Sequence, residues 1–403
     1  MDYGASSPTR LKYNKGMTAL PAEQDVSAPF RLGVIGCEQA RLRYHAALHG
    51  NPRLKVVAIS DPDERYAKVW ARELGTKPAV AADAADLSAQ DLNGVLVCLP
   101  LDQRAEAIAE ALRADLPVLA EVPVADNLTV LDDLYALAVS HNVPLVPALP
   151  RRFDPYVLKA TEIVTSGMLG TVQHTRCSWA YPIEIPVPDA DTISGSWSTI
   201  VQAMACQTAD LVDMWHGEPF TVSADVDVSL FRKREQPAGR QKPDATLATI
   251  ITAHACGQAT HQLMRTRSVR PDERYHLTGS RGQLELTLNA GPTSNPAPAL
   301  VIQIAGEPAV TVKPEIETHE KRISLPTLRA LRMLDFFSDC ARGNAKPLHS
   351  PRQFRVLLEV VHATFISTLE ASKVNLPLLR SPDLDAVIRT MLGDFKALPP
   401  SPH

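Results

Sequence analysis

From Phe30 to Ala148 the chain alternates short, β-branched apolar runs with segments whose apolar residues recur every three or four positions. That alternation is what a parallel sheet demands, because each crossover between parallel strands needs a helix that buries one stripe of side chains on the sheet. The pattern predicts strands at Phe30–Ile35, Lys55–Ser60, Val95–Leu99, Pro117–Glu121 and Val143–Ala148, with helices at Glu64–Leu74, Gln103–Ala114 and Val130–His141. A further helix is expected near Leu42–Leu48. Residues 30–150 therefore form one doubly wound domain.

After Pro150 the texture changes. A helix over Pro155–Thr165 stops at Gly167 and Gly170, and a strand over Thr171–Tyr181, a proline-rich loop at 182–195 and a helix at 197–216 follow. Long β-rich runs at 220–232, 245–256, 258–268, 273–288 and 300–312 are separated by Gly and Pro turns, which favours antiparallel pairing. Helices at about 327–342 and 351–372 close this second domain, 151–403. The expected class is α/β: a doubly wound parallel sheet, then an α+β domain with a large, mainly antiparallel open sheet. Residues 1–29 read as a polar tail, and Met17 is an alternative start.

A formal net charge of −4 gives no electrostatic footing for nucleic acid or an anionic membrane surface. No apolar run approaches the roughly 18 residues of a membrane span, and the first residues lack a hydrophobic signal stretch. The six cysteines are scattered without a Cys-x-x-Cys pair, as expected for free thiols in a reducing compartment such as the cytoplasm. The histidines show no paired metal spacing, and no Gly-x-Ser-x-Gly elbow suggests a hydrolase. No metal is expected.

The first predicted strand runs into Gly36, Cys37, Glu38, Gln39, Ala40 and Arg41. A Rossmann-type dinucleotide turn carries glycine at the first, third and sixth of these positions, and only Gly36 satisfies it. Glu38 sets bulk and negative charge where backbone N–H groups would meet a diphosphate, and Arg41 offers a compensating cation. Asp61, 25 residues after Gly36, is placed to accept from an adenosine ribose, which favours NAD over NADP; alternatively it caps the following helix or makes an Asx turn.

Taken together, Gly33 to Cys37, Val57 to Asp63, Val95 to Pro100, Val118 to Pro123, Arg152 to Pro155 with Gly167 to Gly170, and Asp210 with Gly217 to Pro219 resemble the Gfo/Idh/MocA oxidoreductases. The resemblance spans roughly residues 30–375 and implies NAD(P)-dependent hydride transfer on sugar-like substrates. It also implies cofactor contacts at Gly36, Cys37, Asp61, Pro100, Arg104 and Glu121. Relatives carry Glu-Lys-Pro where this chain has Glu121, Val122 and Pro123, and valine neither carries a charge nor titrates. They carry Asp-x-x-x-His on a helix where it has Ala203 and Gln207, and Thr-Pro-Asn-x-x-His where it has Leu99 to Arg104. Glutamine does not titrate, although it can still hydrogen-bond a substrate. Arg104 either reaches a phosphate or pairs with Glu106 or Glu110 on a solvated helix.

Two replacement acid/base groups are conceivable, His174 and Tyr181, on opposite faces of their strand. Arg152 is either a substrate and interdomain anchor or a structural ion pair. In the run from Leu247 to Ala253 both faces are apolar, as expected if a second copy of the chain covers one of them in a homodimer or homotetramer. Three readings follow: a divergent protein without the standard hydride-transfer residues that binds a polyol, sugar-like ligand or dinucleotide; an NAD-dependent enzyme with relocated groups; or a non-catalytic assembly partner or sensor.

Overall fold

The computed structural model describes residues 28–182, 196–227, 245–266, 272–288 and 297–379, with isolated residues up to Thr390. The tail, the loop at 183–195 and the ends of the predicted runs at 228–232 and 267–268 lie outside the described residues.

The first sheet is fully parallel and contains β1 (Phe30–Ile35), β2 (Leu54–Ser60), β3 (Ala79–Val80), β4 (Gly94–Val97), β5 (Val118–Glu121) and β6 (Leu145–Ala148). Its order is β3-β2-β1-β4-β5-β6, so the direction of winding reverses between β1 and β4, the place where such sheets open a crevice at their C-terminal ends. The helices between strands are α1 (Cys37–Leu48), α2 (Glu64–Glu73), α3 (Ala84–Ser88), α4 (Leu101–Arg113) and α5 (Leu128–Ser140). Side-chain caps start several of them: Asp63 accepts from the Arg65 amide and Asn127 from the Val130 amide. α1 starts at Cys37, five residues before the expected helix, and its apolar residues show little helical periodicity to mark that start. β3 and α3 escape periodicity because they are too short to carry it.

A 3-10 turn at Pro150–Phe153 joins the domains and leads into α6 (Pro155–Thr165), β7 (Val172–Pro182) and α7 (Ser196–His216). The second sheet continues with β8 (Thr221–Asp227), β9 (Ala245–His254), β10 (Gly257–Thr266), β11 (Asp272–Gly279), β12 (Gly282–Thr287), β13 (Ala299–Ile304), β14 (Val310–Val312) and β15 (Val374–Asn375). Its order is β14-β13-β12-β11-β7-β10-β9-β8-β15, antiparallel throughout except for the β7–β10 pair. The run expected at 273–288 is a hairpin, turned at Ser280 and Arg281.

α8 (Leu325–Ala341) and α9 (Pro351–Glu370) part company, which corrects the assignment of both to the second domain. α9 packs beside β8 and α7, whereas α8 returns to the first domain. There Ala330, Met333, Leu334 and Phe337 share a core with Phe30, Tyr44 and Trp70, and the Phe30 and Phe337 rings meet edge to face at 5.7 Å. The apolar stripe of α8 says only that it is buried; which sheet it covers is a tertiary matter. A second core runs continuously from Val97, Leu99 and Val122 to Met204, Cys206, Trp179 and Phe354, so the two domains close on each other across the C-terminal ends of β4 and β5.

Candidate functional site

Gly36 turns β1 into α1 at φ 92°, and a Cβ there would lie 2.6 Å from the Cys98 carbonyl and 2.8 Å from the Leu99 amide. Only glycine fits so close an approach at positive φ. Cys37 follows, buried, with its thiol donating to the Ser60 carbonyl at 3.3 Å, and burial pushes its pKa well above the usual thiol range. The Glu38 amide, the donor a diphosphate would meet, already donates to Asp61 Oδ2 at 3.1 Å. Asp61 Oδ1 accepts from the Asp63 amide at 2.9 Å in an Asx turn, and the cap of α2 is Asp63 itself. Hydrogen bonding to Glu38 raises the Tyr66 phenol, so the Glu38 side chain is drawn toward α2. Arg41 does not serve the turn: its guanidinium makes paired bonds to Glu73 at 2.6 and 2.8 Å.

At the ends of β4 and β5, Pro100 caps α4 and Glu121 is buried, donated to by Tyr44 Oη at 2.5 Å and paired with Arg43 at 2.5 Å. Val122, 4 % exposed, precedes a cis peptide to Pro123 and belongs to the apolar core that spans the domains. Arg104 corrects both expectations for it. It lies 3 % exposed rather than on a solvated face, and it donates to the carbonyls of Leu99 at 2.7 Å and of Pro123, tying the two loops together.

α7 carries Ala203 and Gln207 one turn apart, and its Met204, Cys206 and Ala209 share the apolar core with Val122. Gln207 is buried, and its Oε1 accepts from Arg151 Nη1 at 3.3 Å. Arg151 is bound to Glu273 at 2.5 and 3.0 Å and stacks 4.0 Å above the Trp179 ring, while Tyr275 Oη donates to the same Glu273 at 2.8 Å. One turn further, Arg152 and His349 both hold Asp210, at 2.8 and 2.6 Å. Burial alone would raise the Asp210 carboxyl, but Arg152 and His349 outweigh it and hold its pKa at about 2. Arg152 is thus a structural anchor of the domain junction. Asp154 adds a third buried pair, to Arg329 at 2.5 Å.

His174 is placed away from all of this. On β7, Thr175, Cys177 and Trp179 are buried beneath the helices, and Arg176 on the alternate face is exposed; His174 shares that outer face and bonds Thr260 at 3.3 Å. It is therefore no substitute for the missing acid/base pair. Tyr181 has the register of Trp179, but its side chain lies outside the described residues. Other histidines are structural: His261 bonds Thr208 at 2.9 Å and His254 the Gly217 carbonyl at 2.7 Å.

The sequence reading missed Arg43, Tyr44, Arg151, Trp179, Glu273 and His349. The Arg151-Arg152 doublet was a visible signal, and strand parity placed Trp179 on one face. Nothing in the sequence pairs Arg43 with Glu121 or Arg151 with Glu273, because those contacts span 78 and 122 residues. Among the described residues no cluster of three metal-ligating side chains occurs, and no helix is long and apolar enough to cross a membrane.

A winding reversal, a glycine-closed first turn and an acid ending β2 define a Rossmann-type dinucleotide fold, joined to a second, open-sheet domain. Residues 30–148 match the Gfo/Idh/MocA family model, described as an oxidoreductase family with an NAD-binding Rossmann fold. Inositol 2-dehydrogenase of Rhizobium meliloti is 26% identical over 258 residues, 62% of this chain and 74% of that one. Seven further curated relatives match over 34–41% of this chain and 40–49% of their own lengths. Among solved structures, an oxidoreductase from Agrobacterium radiobacter in complex with NAD+, L-tartaric acid and magnesium superposes with a TM-score of 0.68 at 15% identity, covering 86% of this chain and 98% of that one. A point mutant of the 3-ketoreductase KijD10 of Actinomadura kijaniata, in complex with TDP-benzene and NADP, superposes with a TM-score of 0.63 at 20% identity, covering 84% and 98%. These likenesses show the fold.

The residues of this chain fit only part of a nicotinamide dinucleotide. Asp61, half-buried at the end of β2, suits an adenosine ribose. The diphosphate end fits poorly, because Glu38 brings a carboxylate, its amide is taken, and Gln39 buries an Oε1 acceptor with no hydrogen-bond partner among the described residues.

Proposed function

We propose that this chain keeps the family scaffold as a receptor for a small sugar-like ligand or a dinucleotide and has lost the family's standard hydride transfer. One observation carries the reading: at the crevice, position 122 is a buried valine and position 207 a glutamine fixed by Arg151, so neither can move a proton. The reading of relocated catalysis loses His174 to the outer face of the sheet. Of the two nicotinamide cofactors NAD is favoured, since Asp61 and Glu38 together would repel a 2′-phosphate. The names of the inositol dehydrogenase and of a reductase of a dTDP-linked dideoxyglucose support a sugar-like ligand. Free cysteines, five of them buried, suit a reducing compartment such as the cytoplasm. Leu247, Ile251 and Met264 are exposed on the outer sheet face, which supports a second copy of the chain covering it.

The test is calorimetric titration of nucleotide-free protein with NAD, NADH, NADP and NADPH, followed by assay of nicotinamide oxidation and reduction with inositol and sugar substrates. NAD is expected to bind at least about tenfold tighter than NADP, roughly the effect of one unfavourable charge contact, and no turnover is expected. Turnover at an ordinary enzymatic rate with any of the four would overturn the reading.

A further inference from the structure

We infer, on the receptor reading above, that the first domain takes a single ribonucleoside at the ends of β1 and β2 and shuts out the nicotinamide half of a dinucleotide. A doubly wound sheet binds a dinucleotide as two mononucleotides, one on each side of the winding reversal, and the acid that ends β2 marks the adenosine side. In this chain the two sides differ in burial. On the first, Glu38 and Pro62 are exposed, and Asp61 and Asp63 are half-buried. On the second, Leu99 and Val122 are 6 % and 4 % exposed, and every residue from Glu121 to Ala125 is buried.

Two contacts hold the second side shut. Leu99 and Val122 share a continuous apolar core with Met204, Cys206 and Ala209 of α7 and with Trp179 of β7, so a ring entering over β5 must return buried apolar surface to water. Arg104, 3 % exposed, donates to the Leu99 carbonyl at 2.7 Å and to the Pro123 carbonyl, and parting those loops would strand a buried cation.

The first side suits a diol. Asp61 Oδ2 accepts from the Glu38 amide at 3.1 Å and Oδ1 from the Asp63 amide at 2.9 Å, which fixes the plane of the carboxylate. Each carboxylate oxygen has two lone-pair sites, so each keeps one, and together they match the adjacent 2′ and 3′ hydroxyls of a ribose, which donate. A 5′-phosphate gains little at this end of α1. The Glu38 amide is taken, the Glu38 carboxylate repels it, and the Arg41 guanidinium is bound twice to Glu73. The open side therefore holds the uncharged part of a nucleotide.

The test is calorimetric titration of full-length, nucleotide-free protein with adenosine, nicotinamide mononucleotide and NAD. Adenosine is expected to bind, with nicotinamide mononucleotide at least about tenfold weaker and NAD less than about tenfold tighter, because the second half of NAD adds no contact. The analogue 2′-deoxyadenosine should bind at least about tenfold more weakly than adenosine, the scale of one hydrogen bond to a charged group. Asp61→Asn, which keeps one oxygen for the turn, should weaken adenosine by a similar factor of about ten, and a thermal melt confirms that it folds. Nicotinamide mononucleotide within tenfold of adenosine, NAD tighter by tenfold or more, or no binding of adenosine overturns the inference. So does an adenosine affinity unchanged by loss of the 2′ hydroxyl or by Asp61→Asn. Each of these failures leaves the receptor reading standing, since that reading falls only to nicotinamide turnover.

Discussion

The domain junction at 150–155 and the crevice at 121–123 with 203–207 are neighbours built on opposite rules. In the junction, Arg151, Arg152 and Asp154 each meet a buried opposite charge, on Glu273, Asp210 and Arg329. In the crevice, Val122, Ala203 and Gln207 carry no charge, and the valine belongs to the apolar core. The difference separates architecture from chemistry. Removing one member of a buried pair strands the other, whereas a buried valine has no polar group to strand.

The sharpest way to break that contrast is Arg152→Ala. It leaves Asp210 and His349 buried without their cation and should cost about 3–5 kcal/mol in urea unfolding. A cost below about 1 kcal/mol would mean that the junction is no more dependent on its charges than the crevice. Next in size is Val122→Lys, which puts an amine at a site 4 % exposed, where burial favours its neutral form, and should cost about 1–3 kcal/mol as a buried polar group. Combined with Gln207→His it should still give no nicotinamide turnover, because Glu38 and the engaged amide at the phosphate turn remain. Turnover in that double variant would show a crevice still poised for hydride transfer, and the contrast would reduce to two residues.

The parallel sheet was legible because its strands and helices carry their burial in their own periodicity, and the winding of β1, β2, β4, β5 and β6 follows from it. The wrong assignment of α8 shows the limit: an amphipathic stripe records that a face is covered, not by which sheet. At the site, identity was legible and partnership was not. Asp61 was found by its spacing from Gly36, and Val122, Ala203 and Gln207 by the resemblance of short stretches to family motifs. Arg104 was expected at a phosphate or on solvent, yet its long side chain lies buried on the carbonyls of Leu99 and Pro123, a contact that depends on how two loops meet. Arg41 was likewise claimed by Glu73, 32 residues away.

The smallest expected effect sharpens the contrast within a single helix. Asp210 and Asp213 sit one turn apart on α7; the first, with Arg152 and His349, stays near 2, while burial pushes the second up to about 7 against the pull of Arg152, and its Oδ1 is buried without a hydrogen-bond partner. Asp213 faces Thr252 and His254 of β9 and Val356 and Val360 of α9, none of which offers it a fixed cation. Its folded pKa lies above the usual carboxylate value, so the native state holds the proton longer. The stability it contributes is complete below about pH 4 and is lost as pH rises through about 7. Asp213→Asn removes that loss, and the variant should gain about 1–2 kcal/mol on its parent between roughly pH 5 and 8, read from urea midpoints. His216 and His261, held at about 4 and about 3 by burial, push the parent the other way, losing stability as pH falls below about 6.5. Because both proteins keep those histidines, the difference between them isolates Asp213. A difference that stays flat with pH would place Asp213 with Asp210 as a compensated charge, and the rule that this helix spends its cations on the junction alone would fail.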